Sequence, residues 1–476
     1  MRLMPTLATA LALLATSAVA QSPALTPDQT RFRAIYKELV ETNTQFSNGD
    51  CTLAANRMAA HLRSAGFPAA DVTVWVPDGH PKEGAVTAIL RGTDAAAKPI
   101  LLLGHLDVVE ARREDWTRDP YTLIEENGVF YGRGTVDMKA MDAVWVDTFI
   151  RLREGRVPLK RTLKLALTCG EEGGAVGELR SLNGATWMVQ NHPETLTAEF
   201  GLTEGGGGAL RADGTNQFAL LQVGEKGVAN FTLEVTNPGG HSSRPVPDNA
   251  IYRLAGALKK IEAYRFPLKF NATTRGLLAA RATENDPAGL ALKRLLANPK
   301  DAAAERAASA DPSINNRLRT TCIATLLSGG HAANALPQRA NATINCRVFP
   351  GETLAEVTQA LTRVIGDPQV KITPAETTIR TAINPPLSDF IVEPATRLAR
   401  KYFPGAVFTP TLMAGATDAR AFGPLQMPIY GPPGLFTNAE SGLHGLNEHI
   451  PVKSVMTGRD YLYELVQEYA NQPPHS

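Results

Sequence analysis

The chain has 476 residues, of which 43% are hydrophobic and 20% are charged, and its formal net charge is +1. A chain of this length usually exceeds one compact core, so we expect a globular protein with two domains. A charge so close to zero excludes a broad basic surface for nucleic acid or for an anionic membrane.

The first 20 residues have the pattern of a secretory signal peptide. Arg2 precedes an apolar run from Leu7 to Ala15, and Ala18-Val-Ala20 forms a cleavage site of small residues. The apolar run is too short to span a bilayer, and no later stretch approaches the roughly 18 apolar residues that a span requires. The sequence therefore predicts cleavage after Ala20 and a secreted or periplasmic protein without a membrane span.

Residues 21–221 alternate between helical and strand patterns, which is typical of an α/β domain. Amphipathic spacing predicts helices that begin at Pro27, Thr52 and Met138. Apolar runs predict five strands, over Val72–Val76, Ala85–Leu90, Pro99–Leu103, Leu163–Leu167 and Ala198–Leu202. The last three are followed by histidine or acidic residues, as expected for a sheet that carries its functional site along one rim.

Residues 222–376 follow the order β-α-β-β-α-β, which predicts a ferredoxin-like α+β domain inserted into the first one. An alanine-rich stretch at 270–316 interrupts this order, and we expect it to be a helical insertion on the surface. Residues 377–476 return to the first domain with a helix, a strand and a final helix, over Asp389–Tyr402, Met427–Tyr430 and Val452–Tyr469. The predicted fold is an α/β catalytic domain, with a mixed sheet flanked by helices, that carries an inserted lid domain.

Four cysteines in a chain this long do not form a disulfide scaffold. Cys322 and Cys346 lie on two predicted strands that could be neighbours, so one bridge is possible in an oxidising compartment. Cys169 has no evident histidine partner for nucleophilic chemistry, and we interpret it as a small buried residue.

Several motifs that might define a site are weak or missing. The glycines at 205–208 and the sequence Gly132-Arg-Gly134 lack the strand-loop-helix spacing of a dinucleotide or P-loop site. The sequence contains neither a Gly-x-Ser-x-Gly elbow nor a His-Glu-x-x-His motif. A serine hydrolase and a thermolysin-type zinc site therefore lack their anchoring residues.

The order of five other motifs is specific. The chain contains His105-x-Asp107, then Gly-Arg-Gly-x-x-Asp137, then Glu171-Glu172, then Glu204, and finally His444. This series resembles the dizinc exopeptidase family of aminoacylase, carboxypeptidase S, carnosine dipeptidase and succinyl-diaminopimelate desuccinylase. The resemblance covers essentially the whole mature chain, and the glutamate at position 204 is similar to the carboxypeptidase S branch.

The resemblance implies two zinc ions per chain. Asp137 would bridge them, with His105 and Glu204 on one ion and Glu172 and His444 on the other. Asp107 would orient the His105 ring, and Glu171 would be the general base. Imidazole and carboxylate groups suit zinc, and two bridged ions can lower the pKa of a water between them toward roughly 7.

The resemblance also assigns residues outside the metal site. His241 would be a lid histidine that stabilises the oxyanion, often in the partner subunit of a homodimer. Asn334 and Arg347 would grip the terminal carboxylate of the substrate, helped by backbone N–H groups of the loop Gly415-Ala416-Thr417. Without the resemblance, His241 would be a turn residue and Arg347 a surface residue on a strand.

The sequence is compatible with three functions. The preferred one is a carboxypeptidase or dipeptidase that cleaves small peptides beside a free carboxylate. The same hydrolysis would serve an N-acyl-amino-acid amidohydrolase, and the sequence cannot separate these two. A protein that keeps the metals but only binds ligands is the third, although it would not need Glu171.

Overall fold

The structure is a computed structural model, which describes residues 24–173, 175–176 and 179–473. The predicted signal peptide lies outside the described residues. Within these ranges, every helix is too short or too polar to cross a lipid bilayer.

A six-stranded mixed sheet, here called the main sheet, forms the centre of the larger domain. Its strands, in spatial order, are Val72–Trp75, Ala85–Leu90, Leu163–Thr168, Ile100–His105, Phe200–Leu202 and Ile429–Tyr430. Neighbouring strands among the first three run antiparallel, whereas each neighbouring pair from Leu163–Thr168 to Ile429–Tyr430 runs parallel. The predicted α/β fold with a mixed sheet is confirmed.

The central strand Ile100–His105 is buried on both faces. Leu102 belongs to a large hydrophobic cluster under the surrounding helices, while Leu101 and Leu103 pack with Met188 and Phe422 in another cluster. Helices of the larger domain are Pro27–Glu41, Cys51–Ser64, Lys139–Glu154, Gly184–Asn191, Pro193–Leu196, Asp389–Tyr402 and Val452–Asn471, with 3-10 turns at Ala69–Asp71, Arg113–Asp115 and Asp418–Leu425. A strand covered in this way reads as a continuous apolar run, which is why the sequence predicts it.

A second sheet of four strands was not predicted. Its strands, in spatial order, are Val407–Met413, Asn216–Glu225, Gly207–Leu210 and Phe436–Thr437. The strand Asn216–Glu225 runs through the predicted domain boundary at residue 222 and pairs in parallel with Val407–Met413. Because its partner lies almost 200 residues away in the chain, local pattern gives little sign of this strand.

The smaller domain contains an antiparallel sheet in the order Thr321–Gly329, Arg339–Val348, Gly227–Thr236 and Lys371–Pro374. The helices Ala250–Ala263 and Leu354–Ile365 pack on this sheet and share a separate hydrophobic cluster with it. Leu354–Ile365 begins at a capping box, in which Thr353 and Glu356 bond each other's backbone N–H groups, and it ends at the left-handed Gly366. The elements follow the predicted β-α-β-β-α-β order.

The stretch predicted as a helical insertion forms four helices, Ala272–Arg281, Pro287–Ala297, Ala302–Ala308 and Pro312–Leu318. They enclose their own cluster of leucine and alanine side chains, and the first of them packs against the strand Val407–Met413. Short pairings complete the described fold, at Gly240–His241 with Ala335–Leu336, at His449–Pro451 with Val129–Tyr131 and Ile124–Glu126, and at Ala175–Val176 with Leu179–Arg180.

Candidate metal centre

The rim of the main sheet brings three predicted site segments together. His105 is the last residue of the central strand and lies opposite Thr168, which ends the neighbouring parallel strand just before Glu171 and Glu172. On the other side, Leu102 pairs with Leu202, so Glu204 also follows directly at the same edge. Carboxyl ends of parallel strands share one edge, and this places the imidazole and the carboxylates together.

Asp137 reaches the rim from a loop that a buried glutamate holds. Glu448 accepts hydrogen bonds from the backbone N–H groups of Gly134, Val136 and Asp137, at 3.1, 2.7 and 3.1 Å. Arg133 donates to the same carboxylate at 2.6 Å. Neither Arg133 nor Glu448 was predicted from the sequence to have this role. The one available signal for Glu448 was its position four residues after His444. The local sequence pattern does not show that this glutamate is buried.

The first group of candidate ligands consists of His105, Asp137 and Glu204. Nε2 of His105 lies 3.2 Å from Oδ1 of Asp137 and 3.5 Å from Oε1 of Glu204. Nδ1 of His105 lies 3.0 Å from the backbone oxygen of Asp107, which fixes the ring with Nε2 toward the carboxylates. The ring is therefore oriented as metal-binding histidines usually are, with one nitrogen bonded and the other directed at the site.

The second group consists of Asp137, Glu172 and His444. Nε2 of His444 lies 3.1 Å from Oδ2 of Asp137 and 2.8 Å from Oε1 of Glu172. In each group one ligand atom per residue lies within 4.8 Å of the others. Asp137 is shared, with one carboxylate oxygen turned to each histidine.

The charges of the two groups favour cations between them. Burial would lower the pKa of His105, but its bonds to Asp137 and Glu204 raise that pKa well above its usual value. Burial and the nearby charge of Asp137 raise the pKa of Glu204 well above its usual value. Each of the two histidines therefore lies beside two carboxylates. An imidazole that has lost its proton is neutral, and this is the form that binds metal ions. The donor set fits divalent metal ions of the zinc type.

Asp107 connects the His105 segment to the acidic pair. Its carboxylate accepts the backbone N–H groups of Glu171 and Glu172 at 3.3 and 3.0 Å. Burial raises the pKa of Asp107 to about 6, against the lowering effect of His105. The side chain of Asp107 itself stays 3.7 Å from Nδ1 of His105, so its main contacts are with the loop.

Glu171 lies beside the two groups and belongs to neither. Its Oε1 is 3.2 Å from Nη2 of Arg420, and its side chain is only 9% exposed. Burial and the nearby Asp418 raise its pKa to about 8. A buried carboxylate next to the candidate metal ligands is suited to take up a proton.

The predicted substrate-binding residues differ in their burial and in their hydrogen-bond partners. Arg347 is half-buried, donates to Oδ1 of Asn345 at 3.2 Å, and has its pKa lowered by burial and by the charges of Arg420 and Arg380. In the loop Gly415-Ala416-Thr417, only the threonine is buried, and its hydroxyl bonds Glu225. Arg420, for which the sequence predicted no role, donates to Glu171 at 3.2 Å, and its charge also acts on Arg347 of the smaller domain.

His241 and Asn334 are exposed. Nδ1 of His241 accepts the backbone N–H of Ser243 at 3.1 Å, and the backbone oxygen of Asn334 accepts the N–H of Ser242. Within the part of the chain that the structure describes, His241 has no hydrogen bond to either ligand group. The structure brings the five candidate ligands together, whereas no hydrogen bond in the described part of the chain joins His241 or Asn334 to them.

Two disulfides are present, and one of them corrects the interpretation of Cys169. Cys322 and Cys346 are directly opposite on neighbouring strands and are bridged. Cys169 is buried as predicted, but it is bonded to Cys51 at the start of the helix Cys51–Ser64. The sequence analysis missed this pair because 118 residues separate the two cysteines.

The Cys51–Cys169 bridge is expected to stabilise the fold substantially, because it closes a long loop of the unfolded chain. Replacing both cysteines with serine should lower the free energy of unfolding by about 2–4 kcal/mol. Denaturant unfolding followed by circular dichroism measures this change. The double serine variant of Cys322 and Cys346, which are only 24 residues apart, is the comparison and should lose less. An equal or larger loss in that comparison variant would contradict the loop-length argument.

Comparisons with known proteins agree with this architecture. Residues 101–468 match Peptidase_M20, described as Peptidase family M20/M25/M40. The chain is 31% identical to the probable carboxypeptidase S-like 2 of Dictyostelium discoideum over 392 residues, covering 79% of this chain and 73% of that protein. It is 28% identical over 416 residues to the N-fatty-acyl-amino acid synthase/hydrolase PM20D1 of Homo sapiens, covering 84% of this chain and 80% of the human protein.

Solved structures share the fold. The M20 family metallo-carboxypeptidase Sso-CP2 from Sulfolobus solfataricus superimposes with a TM-score of 0.67 at 20% identity, over 92% of this chain and 99% of that one. Human carnosine dipeptidase 1 gives a TM-score of 0.62 at 17% identity, over 94% and 100% of the two chains. The family match extends over most of the chain and includes every candidate ligand. The chain therefore belongs to peptidase family M20/M25/M40 and is a hydrolase of the metallopeptidase and amidohydrolase type.

Proposed function

We propose that this protein hydrolyses an amide bond next to a free carboxylate, with small peptides as the preferred substrates. The observation that carries the proposal is the pair of ligand groups that share Asp137, with the carboxylate of Glu171 beside them. A protein that only binds ligands has no use for a buried, unligated carboxylate at this place.

The residues present fit two zinc ions. His105 and Glu204 would hold one ion, Glu172 and His444 the other, and Asp137 both. When bound, such ions supply Lewis acidity toward the substrate carbonyl and lower the pKa of an attached water toward roughly 7.

The chain's own groups would move the proton and keep the site in order. Glu171 would accept the proton of the attacking water and deliver it to the leaving amine. Arg420, which bonds Glu171, would hold the carboxylate in place between these two events. Asp107 would keep Glu171 and Glu172 at their positions through the two backbone N–H groups that it accepts.

The guanidinium groups of two arginines support binding of a substrate carboxylate near Glu171. Arg420 bonds Glu171, its charge acts on Arg347, and a guanidinium can bind a carboxylate through two parallel hydrogen bonds. Asn334 and the backbone of the loop Gly415-Ala416-Thr417 would assist on domain closure. The carboxypeptidase and dipeptidase names of several relatives support this substrate class.

A cavity beside Glu172 favours a second candidate, the hydrolysis of N-acyl amino acids. It has a volume of about 310 Å³ and borders Glu172 and Asp107. Phe46, Val108 and the Cys51–Cys169 bridge form the apolar part of its lining, and polar side chains such as Gln45 and Lys82 form the rest. An apolar cavity of about 150 Å³ already binds benzene, so this space is sufficient for a medium-length acyl chain. The similarity to PM20D1, an N-fatty-acyl-amino acid synthase/hydrolase by name, points the same way.

A substrate panel tests both candidates. We expect hydrolysis of dipeptides or N-acyl amino acids with a free carboxylate, and loss of most activity when that carboxylate is amidated. Arg347→Met should raise KM for free acids about 10- to 200-fold, because the variant loses a charge-assisted hydrogen bond worth about 1.5–3 kcal/mol. The same variant should change the rate on amidated substrates little. Steady-state kinetics measure this, with Arg339→Met on the same strand, 63% exposed, as the control. Equal effects of Arg347→Met on free and amidated substrates would contradict the clamp.

The remaining proposals concern assembly and location. We propose a homodimer formed through the smaller domain, whose edge strand Thr321–Gly329 exposes Ile323, Leu326 and Leu327 to 67%, 68% and 71%. An exposed apolar edge strand invites pairing with another chain. His241 would then act in the partner's site. A secreted or periplasmic location is supported by the signal-peptide pattern and by two disulfides, which persist in oxidising compartments.

A further inference from the structure

A buried ion pair lies directly behind the candidate metal centre. Arg133 and Glu448 are 2% and 1% exposed, and Nη1 of Arg133 lies 2.6 Å from Oε2 of Glu448. Neither residue belongs to a ligand group, and neither takes part in the proton transfer described above. Burying a charged pair is costly unless hydrogen bonds satisfy both partners, so the surroundings of the pair indicate what it does.

The carboxylate of Glu448 is surrounded by the loop that carries Asp137. Besides the arginine, it accepts the backbone N–H groups of Gly134, Val136 and Asp137. The backbone oxygen of Glu448 also accepts the N–H of Gly132 at 3.0 Å. One residue thus fixes both ends of the segment from 132 to 137, including the N–H of the shared ligand itself.

Arg133 connects the same point to the loop that carries His444. Its Nη2 donates to the backbone oxygen of Gly445 at 2.7 Å, and its guanidinium lies 5.0 Å from the ring centroid of Trp116. His444 has a left-handed backbone, with φ of 57°, in a turn closed by a 2.7 Å hydrogen bond between Gly445 and Gly442. A histidine in this strained region persists only when its surroundings determine the turn, and Arg133 supplies one such contact.

We infer that Arg133 and Glu448 form a clamp that positions the shared ligand Asp137 relative to His444, and that the clamp determines metal affinity. The inference rests on the proposed function, because it assumes that the two ligand groups hold metal ions. Asp137 turns one carboxylate oxygen to each histidine, so a small rotation of its loop would disturb both ligand groups together. Partners that orient metal ligands typically contribute 10- to 100-fold to affinity.

Glu448→Gln tests the clamp, because glutamine has nearly the same shape but replaces one acceptor oxygen with a donor. We expect the affinity of the metal-free protein for Zn²⁺ alone, measured by competition with a chromophoric chelator, to fall about 10- to 100-fold. The matched control is Asp147→Asn, which alters the buried pair of Asp147 and Arg459, 0% and 1% exposed and bonded at 2.7 Å. That variant should become less stable in thermal unfolding yet bind zinc like the unaltered protein.

A second pair of variants keeps the test decisive if Glu448→Gln fails to fold. Lysine cannot bond Glu448 and Gly445 together as the guanidinium does, so Arg133→Lys should also lose zinc affinity while Arg459→Lys should not. Unchanged zinc affinity in the folded variants of the clamp would overturn the inference. Equal losses in the control variants would also overturn it, because they would indicate general destabilisation. If the unaltered protein binds no zinc, both the proposed function and the clamp are refuted. If the unaltered protein binds zinc and the variants bind it equally well, only the clamp is refuted.

Discussion

Glu171→Gln is expected to lower kcat by about two to four orders of magnitude while the protein keeps its metal. Glutamine preserves the size of the side chain and its bond to Arg420, but it cannot take a proton from the attacking water. The loss should appear in kcat more than in KM, because the missing step belongs to the transition state. Single-turnover and steady-state kinetics on the best substrate measure it, together with metal analysis of the same sample.

The control for Glu171→Gln is Glu154→Gln, at a glutamate that is 47% exposed and pairs with Arg31 on the surface. This control should have unaltered kinetics and metal content. A wild-type kcat for Glu171→Gln would show that another group acts as the general base. Loss of metal from the variant would instead place Glu171 among the ligands.

Asp137→Ala is expected to remove both metal ions and all measurable activity. Its two oxygens lie 3.2 Å from Nε2 of His105 and 3.1 Å from Nε2 of His444, so both groups lose their shared carboxylate in this variant. His444→Ala is the matched comparison, since it leaves His105, Asp137 and Glu204 in place and should keep about one zinc ion per chain. Metal analysis after dialysis, with thermal unfolding to confirm folding, measures both. Retention of two ions by Asp137→Ala would show that this carboxylate is not shared.

The sequence predicted the main sheet because each of its strands carries its own local signal. The strand Ile100–His105 is buried on both faces, so it consists of consecutive apolar residues that end in a histidine. The capping box at Thr353 and the left-handed Gly366 likewise mark helix ends by chemistry that is local in the chain. These features need no knowledge of distant partners.

The second sheet and the Cys51–Cys169 bridge were missed for the opposite reason. The strand Asn216–Glu225 pairs with a strand near residue 410, and the two cysteines meet across 118 residues. Glu448 and Arg133 are charged residues that read as solvent-exposed until the loops around them are placed. The need for glycine at position 205 also depends on a distant residue. Gly205 has a φ of +92°, and a Cβ there would meet the side chain of Gln222 at 1.7 Å.

The grouping of the five candidate ligands was predicted from the resemblance to a family, and in the structure these residues form two clusters that share Asp137. Composition and spacing alone could not have paired Glu204 with His105 or Glu172 with His444, because these residues are far apart in the chain. His241 and Asn334 of the smaller domain differ, since both are exposed, and the roles proposed for them require domain closure or a partner subunit.

The most direct measurement of the central claim is anomalous diffraction at the zinc edge from crystals grown with excess zinc. We predict two peaks per chain, about 3.5–4 Å apart, with Asp137 between them and His105 and His444 on opposite ions. Crystals without an anomalous peak among these residues, and with the five side chains directed apart, would contradict the account.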